Sequence, residues 1–153
     1  MEKILLGKPV AELLDKKSKN AINDYIAKHN KQPLLTAITV GDNPASLLYV
    51  SRKQDKALEL GVNFNWLKLS ESSTSNEVKE AIEDSQIKSQ GIIVQLPLPK
   101  HLDFEDIVNL IPHEVDIDGL TTHNLGYLFS ESYKIIPATS LAVLELLKYY
   151  DIQ

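Results

Sequence analysis

The stretch Leu34-Leu35-Thr36-Ala37-Ile38-Thr39-Val40-Gly41-Asp42-Asn43-Pro44 decides the fold. Its first seven residues form a nearly continuous apolar and β-branched run, which is typical of a strand buried on both faces of a parallel sheet. The next residues predict a turn, with Asn43 as the N-cap of a helix and Pro44 at its first position. A buried strand that turns directly into a helix is the unit from which α/β domains are built.

The flanking sequence repeats this alternation of helices and strands. The predicted elements are an amphipathic helix over 10–28, a strand over 34–40, a helix over 44–60 that ends at Gly61, a strand over 62–66, a helix after the capping box Thr74/Glu77, and a strand over 91–95. The period-2 alternation over 62–66 places that strand near the sheet edge. The order α-β-α-β-α-β predicts a three-layer α/β/α fold with right-handed crossovers, a mostly parallel sheet and helices on both faces.

The pattern changes after the third predicted strand. We expect a short helix over 103–110, a polar loop over 112–119 and a final helix over 141–150. The last residues, Asp151-Ile152-Gln153, carry neither a capping glycine nor a polar tail, so we expect the chain to be part of a longer protein.

Composition excludes several classes of function. The formal charge is −5, from 16 Lys plus Arg and 21 Asp plus Glu, which argues against a nucleic-acid partner. There is no Cys, and therefore no disulfide, thiolate nucleophile or Cys-ligated metal. Apolar runs are far shorter than the roughly 20 residues that span a bilayer, and the first eight residues do not resemble a signal peptide. We expect a cytoplasmic protein without a membrane partner.

The six glycines exclude the common nucleotide loops. No two of them are closer than seven residues apart, so neither G-x-G-x-x-G nor G-x-x-x-x-G-K occurs. The G-x-S-x-G and H-E-x-x-H signatures of α/β-hydrolases and zinc proteases are absent as well.

A polar stripe is predicted on the helix that follows the first strand. Ser46, Tyr49 and Lys53 are spaced i, i+3, i+7 and project from one side, near the strand ends where α/β sheets bind ligands. One interpretation is a solvated face with a snorkelling lysine. The other is a tyrosine platform that holds a flat ligand while the lysine amine transfers or polarises a proton.

Gln95 ends the third buried strand. Its amide must find hydrogen-bond partners or destabilise the fold. A backbone group in the adjoining loop is one candidate partner. The amine of Lys53 is the other, if this strand neighbours the first one.

Two acids follow in Asp116-Ile117-Asp118-Gly119. They are either turn formers and N-caps for the segment at Thr121, or a carboxylate that accepts two adjacent N–H bonds from a guanidine-like ligand edge. His113, Asp116 and His123 offer the composition of a metal site, but their spacing lacks a compact ligand pair, and we predict no metal.

Three ordered blocks carry a family resemblance. They are Val40-Gly41-Asp42-Asn43-Pro44-Ala45-Ser46-Leu47-Leu48-Tyr49-Val50-Ser51-Arg52-Lys53, Gly91-Ile92-Ile93-Val94-Gln95-Leu96-Pro97-Leu98-Pro99 and Asp116-Ile117-Asp118-Gly119. Together they resemble the bifunctional methylenetetrahydrofolate dehydrogenase/methenyltetrahydrofolate cyclohydrolase family. Shorter matches at 4–8, 124–128 and 137–139 extend the similarity along nearly all of the chain.

The resemblance implies roles for individual residues. Lys53 matches the family's catalytic lysine, Tyr49 the residue that stacks on the folate, Gln95 the one that hydrogen-bonds lysine and substrate, and Asp118 the anchor of the pterin. Val94 and Leu96, which flank Gln95, match substrate-contacting positions. Departures from the family pattern occur at Leu6, Asp84, Gln86, Val115, Ala138, Ser140 and Leu141.

The implied activity has two steps. They are oxidation of 5,10-methylenetetrahydrofolate to the methenyl form with NADP, or with NAD in some members, and hydrolysis of the methenyl form to 10-formyltetrahydrofolate. We expect 1–137 to be the folate-binding catalytic domain and 138–153 a helix leading toward a dinucleotide-binding domain that this chain lacks. The chain is then expected to lack dehydrogenase activity, whereas the lysine and pterin contacts of hydrolysis are present.

Other interpretations remain open from sequence alone. The chain could be a catalytically silent folate-binding or assembly module with the same fold, or a flavodoxin-like regulatory domain without a folate contact. If the chain lacks the family's helix that returns to this domain, we expect an uncovered apolar patch to bring two copies together as a homodimer.

Overall fold

The structure is a computed structural model that describes residues 4–152. The predicted bounds 1–137 and 138–153 therefore include residues 1–3 and 153, which lie outside the described residues. The elements are α1 Gly7–His29, β1 Leu34–Val40, α2 Pro44–Leu60, β2 Asn63–Leu69, α3 Ser75–Gln86, β3 Gly91–Val94, α4 Phe104–Val108, α5 Thr122–Phe129 and α6 Ala138–Tyr149.

The sheet has three strands in the order β2-β1-β3, and both pairings are parallel. The α/β fold with a parallel sheet is as predicted, and so is the position of β2 at an edge. β1 lies in the middle, and its last five residues are fully buried. The continuous apolar run that predicted this strand thus reflects burial on both faces.

The buried hydroxyls of β1 are paired. Thr36 Oγ1 lies 2.7 Å from the hydroxyl of Ser89, and Trp66 Nε1 donates to Thr39 Oγ1 at 3.1 Å. These bonds allow two threonines to occupy the core without the cost of unpaired polar groups.

The predicted caps set the helix bounds. The Asn43 side chain accepts from the backbone N–H groups of Ala45 and Ser46, and Pro44 is the first helical residue of α2. Gly61 ends α2 with a φ of 89°, a left-handed conformation that favours glycine. Thr74 and Glu77 form both bonds of the capping box of α3.

The structure differs from the sequence prediction at several bounds and in one helix. α1 begins at Gly7 rather than at 10, and β2 is Asn63–Leu69 rather than 62–66. α5 was not predicted; it begins where the Thr121 hydroxyl accepts from the N–H of Asn124. α6 begins at Ala138, three residues before the predicted start at 141. Both helices follow the last strand in sequence, where the alternation of strands and helices that guided the prediction has ended.

The side chain of Tyr150 joins the ends of α1 and α6. The hydroxyl of Tyr150, directly after α6, accepts from the N–H of Leu6 at 3.0 Å and lies 3.1 Å from the Leu6 carbonyl, to which it donates. This places α6 against α1, away from the sheet. No helix within residues 4–152 is long and apolar enough to cross a membrane.

Candidate functional site

The site lies where β1 and β3 end at the same edge of the sheet. The N–H of Gln95 donates to the Ile38 carbonyl at 2.9 Å, so the β1–β3 ladder continues one residue beyond β3. The chain then turns through a cis Leu96–Pro97 peptide bond. The Ser46 hydroxyl, in the first turn of α2, donates to the Leu96 carbonyl at 2.9 Å. This bond fixes the start of α2 against the segment that follows β3.

Lys53 and Asp118 meet at this edge. Lys53 Nζ lies 3.4 Å from Asp118 Oδ2, although the two residues are 65 positions apart in sequence. Their side chains are 36% and 26% exposed, so the pair is screened from solvent only in part. The sequence prediction placed an amine and a carboxylate in one site, and the structure brings them into contact.

Tyr49 stands one helical turn before Lys53 on α2 and is 57% exposed. Residues four apart lie on the same helix face, so the phenol ring and the amine share one side of α2. Ser46 is buried at the start of the same stripe. The stripe therefore begins at the buried Ser46 and continues along α2 with the exposed ring of Tyr49 and the amine of Lys53.

Gln95 is bonded locally. Its Nε2 donates to the Leu96 carbonyl at 2.9 Å, which is the loop-backbone partner weighed as one alternative above. Its Oε1 is buried and has no hydrogen-bond partner among residues 4–152. The hydrogen bond of the Lys53 amine goes to Asp118. A buried acceptor thus remains available at the end of β3.

The neighbours of Gln95 have different environments. Val94 is buried in the core that β1, α3 and β3 share. Leu96 is half-buried, and its carbonyl accepts from both Ser46 and Gln95. The Val94 side chain therefore packs in the core, whereas Leu96 contributes its backbone carbonyl to the hydrogen bonds of the site.

The two acids after β3 have separate roles. Asp116 is buried, and its carboxylate accepts from Gly119 N, Thr121 N and Asn124 Nδ2 at 2.9–3.0 Å, so it is the turn former of the two predicted alternatives. Asp118 instead lies against Lys53. The N-cap of α5 is Thr121 itself.

Asn124 and Gly91 were not recognised from the sequence as contributing to the site. Asn124 is buried and donates to Asp116, a bond that no local pattern reveals. A Cβ at Gly91 would lie 2.6 Å from Ile117 Cγ2, the side chain between the two acids. A glycine inside a buried strand is the signal of such a close approach.

The side chains of His113, Asp116 and His123 are not arranged as the ligands of a metal ion. The two imidazole rings stack with centroids 3.9 Å apart, and Tyr127 packs edge-on against both. The oxygens of Asp116 are occupied by N–H donors. Among residues 4–152, no group of three His, Asp or Glu side chains is placed to hold a metal ion.

The residues described do not fit a nicotinamide dinucleotide. A dinucleotide pyrophosphate binds at a helix N-terminus behind a glycine-rich turn. Here the turn from β1 to α2 holds one glycine, Gly41, and its groove is lined by the acids Asp42 and Glu71, which repel phosphate. A Cβ at Gly41 would meet Glu71 Cβ at 3.3 Å, so Glu71 occupies the space beside this glycine.

Comparison with known proteins identifies the family. Residues 5–118 match the family model of the tetrahydrofolate dehydrogenase/cyclohydrolase catalytic domain. This match covers well over half of the chain, and it includes the segments that hold Tyr49, Lys53, Gln95 and Asp118. The chain therefore belongs to the tetrahydrofolate dehydrogenase/cyclohydrolase family, and the family predicted from the sequence motifs is confirmed.

Individual relatives agree with this assignment. The bifunctional protein FolD of Helicobacter pylori is 34% identical over 98% of this chain and 52% of its own length. The solved FolD structure from Campylobacter jejuni has a TM-score of 0.91 at 34% identity, over 98% of this chain and 54% of its own. The solved structure of the 5,10-methylenetetrahydrofolate dehydrogenase of the silkworm Bombyx mori has a TM-score of 0.93 at 34% identity, over 99% of this chain and 53% of its own. The chain spans about half the length of these relatives.

Proposed function

We propose that this chain binds a reduced folate at the carboxyl edge of its sheet and carries the groups that hydrolyse 5,10-methenyltetrahydrofolate to 10-formyltetrahydrofolate. The observation that carries the proposal is the contact of Lys53 Nζ with Asp118 Oδ2 at 3.4 Å. It joins an amine and a carboxylate on the helix face that carries an exposed aromatic ring, and a buried amide oxygen at the end of β3 has no partner among the described residues.

The chemistry of a pterin suits these groups. Its ring is flat and can stack on Tyr49, whose side chain is exposed on the same face of α2 as Lys53. Its 2-amino and N3 edge presents two adjacent N–H donors, which one carboxylate accepts in parallel. Asp118 is the partly exposed carboxylate of the site that can turn from Lys53 to such an edge, since the carboxylate of Asp116 is buried and already accepts from three N–H groups.

The hydrolytic step then uses the freed lysine. Water adds to the methenyl carbon, the bond from that carbon to N5 breaks, and the formyl group stays on N10. One proton of the water goes to N5 and the other is released. Once the pterin edge occupies Asp118, the Lys53 amine is free of its carboxylate partner, and in its unprotonated form it can take a proton from the attacking water. Gln95 Oε1, buried and unpaired, can accept from the lysine amine or from the substrate.

Oxidation of the methylene form is a function that we assign to a longer protein. The family is bifunctional, but the residues described here do not fit the dinucleotide, so we propose that NADP is bound outside them. Residues 1–137 would form the folate-binding unit, and α6, which packs on α1 and has no buried residue, would lead toward a nucleotide-binding domain. We expect no NADP reduction by this chain alone.

The test compares two lysines of α2. Lys53→Met should lower the rate of methenyltetrahydrofolate hydrolysis, followed as loss of the methenyl absorbance, by at least about a hundredfold. General acid–base groups contribute to catalysis on this scale. The same variant should keep its affinity for 5-formyltetrahydrofolate within about threefold, since the ring and the carboxylate remain. Lys56→Met is the matched control. Lys56 pairs with Asp15 and Glu59 rather than with Asp118, and its loss should change neither quantity.

A catalytically silent folate-binding or assembly module is the alternative proposal. The partial exposure of the Lys53–Asp118 pair favours it, because water in an open site weakens electrostatic catalysis. Folate binding by the wild-type chain without any hydrolysis above the buffer rate would establish this alternative. Failure of 5-formyltetrahydrofolate to bind would reject both, and rapid NADP reduction would reject the assignment of the dinucleotide to a longer protein.

A further inference from the structure

The loop that holds Asp118 is anchored from inside by another acid. Asp116 is 1% exposed, and it forms a one-residue parallel bridge with Ile92 of β3. The Ile92 N–H donates to the Val115 carbonyl at 2.7 Å. The chain is thus fixed to the sheet two residues before Asp118.

The carboxylate of Asp116 fixes the chain on the other side of Asp118. Its Oδ1 accepts from Gly119 N at 3.0 Å, and its Oδ2 accepts from Thr121 N and Asn124 Nδ2, each at 2.9 Å. Gly119 has a φ of 68°, and a Cβ there would lie 3.0 Å from the backbone of Pro137. The carboxylate of Asp116 therefore holds the turn that contains Asp118, and the backbone of Pro137 packs against this turn at Gly119.

Asn124 extends the same network into α5. It is 2% exposed, and its Nδ2 donates to the His113 carbonyl at 2.9 Å as well as to Asp116. One amide thereby ties the start of the loop, at His113, to its end. The side-chain hydrogen bonds of Asp116 and Asn124 go to groups of this loop and of α5, and the hydrogen bond of Lys53 goes to Asp118.

We infer that Asp116 is a positioning residue, which presents Asp118 to Lys53 and to the pterin edge without touching either. The chemical reason is its acceptor capacity. A carboxylate offers about four lone pairs and no donor, so it can satisfy three N–H groups at once, whereas an asparagine oxygen offers two and its NH2 group would face an N–H. The inference rests on the proposed function, because the placement of Asp118 matters for catalysis only if a pterin binds there.

The first measurement does not depend on folate. A zero-length carbodiimide joins a lysine amine to a carboxylate in direct contact, and peptide mass spectrometry quantifies the Lys53–Asp118 product. The surface pair Lys56–Asp15, at 3.0 Å, is the internal reference. In Asp116→Asn the ratio of the two products should fall about tenfold, the effect of losing charge-assisted hydrogen bonds. Asp103→Asn, which removes a carboxylate that accepts from Asp106 N at the start of α4, should leave the ratio unchanged.

The second measurement tests whether Asp116 acts through Asp118. Asp116→Asn should weaken 5-formyltetrahydrofolate binding about tenfold in the wild-type background and less than twofold in an Asp118→Asn background. A loss of equal size in both backgrounds would overturn the inference, because a general loosening of the fold would act in either. If the wild-type chain binds no folate, the proposed function fails and the cross-link ratio alone decides the role of Asp116.

A milder variant covers the case in which Asp116→Asn does not fold. Asn124→Ala keeps the carboxylate and its two backbone bonds, and removes one donor. We expect it to lower the cross-link ratio about threefold. A folded Asn124→Ala or Asp116→Asn chain with the wild-type ratio would overturn the inference.

Discussion

Gln95 carries a side-chain oxygen that is buried and has no partner among residues 4–152. An unsatisfied buried acceptor costs about 1–3 kcal/mol, so this atom opposes folding. The Nε2 atom of the same amide is satisfied by the Leu96 carbonyl, which holds the side chain in place and leaves the oxygen oriented. Under the proposed function, a polar atom that destabilises the free chain is the one that meets the lysine or the substrate.

Replacing Gln95 should separate stability from binding. In Gln95→Met the unpaired oxygen and one hydrogen bond are lost together, so the free energy of unfolding should stay the same or rise by about 1 kcal/mol. Binding of 5-formyltetrahydrofolate should weaken about tenfold. Urea unfolding and calorimetric titration measure the two quantities.

Gln90→Met is the matched control for this change. The Gln90 Oε1 atom accepts from Leu34 N at 2.9 Å, at the amino end of the sheet. Its loss should lower the free energy of unfolding by about 1 kcal/mol and leave folate affinity unchanged. A Gln95→Met chain that is strongly destabilised with unchanged affinity would contradict the role given to the buried oxygen.

At the scale of elements, the features predicted from sequence are those set by neighbouring residues. Asn43, Gly61 and the pair Thr74/Glu77 act on backbone groups within four positions, so their patterns predicted both ends of α2 and the start of α3 correctly. The shared helix face of Tyr49 and Lys53 follows from helical periodicity in the same way.

The remainder of the site depends on contacts between distant segments. The spacing of 65 residues between Lys53 and Asp118 carries no local signal, and family resemblance alone indicated that they belong to one site. α5 was missed because its buried residue, Asn124, is polar and is held by Asp116 rather than by an apolar stripe. Which of the two acids would form the turn was likewise undecided until their partners were known.

The capping box of α3 predicts a specific dependence of stability on pH. The Thr74 N–H donates to Glu77 Oε2 at 2.7 Å, and the Thr74 hydroxyl donates to the same oxygen at 3.0 Å. These bonds, the backbone one first, lower the pKa of Glu77 below its ordinary 4.5. A lowered pKa in the folded state means that the carboxylate stabilises the fold fully above pH 4.5. This contribution is lost as the pH falls through the lowered value.

Glu77→Gln tests this dependence. The variant keeps an acceptor at the third helical position but lacks the charge, so it should unfold at a lower temperature than the wild type at pH 7. The difference should narrow below pH 4.5 and vanish in stronger acid. Glu80→Gln removes the same charge from the same helix outside the capping box, and its thermal scans serve as the reference. A difference between wild type and Glu77→Gln that is constant from pH 7 into acid would contradict the assignment.

At the scale of the whole molecule, the apolar surface is unevenly distributed. α6 has no buried residue, and several of its large apolar side chains are exposed, namely Leu141, Val143, Leu144 and Tyr149. An apolar groove separates it from α1, lined on the α1 side by Val10, Ala11 and Leu14. The polar site at the carboxyl edge of the sheet involves none of these residues. The edge proposed to bind folate and the apolar face are therefore separate surfaces of the molecule.

This apolar face should cause the chain to self-associate, because contiguous exposed apolar surface is stabilised by removal from water. We expect the mass measured by light scattering to rise with concentration from the 17.1 kDa of one chain toward twice that value. Val143→Lys places a charge in the groove and should hold the mass at one chain. Gln86→Lys adds the same charge at the exposed end of α3 and should associate like the wild type. A wild-type chain that remains monomeric at high concentration would show that the groove between α1 and α6 does not bind a second copy.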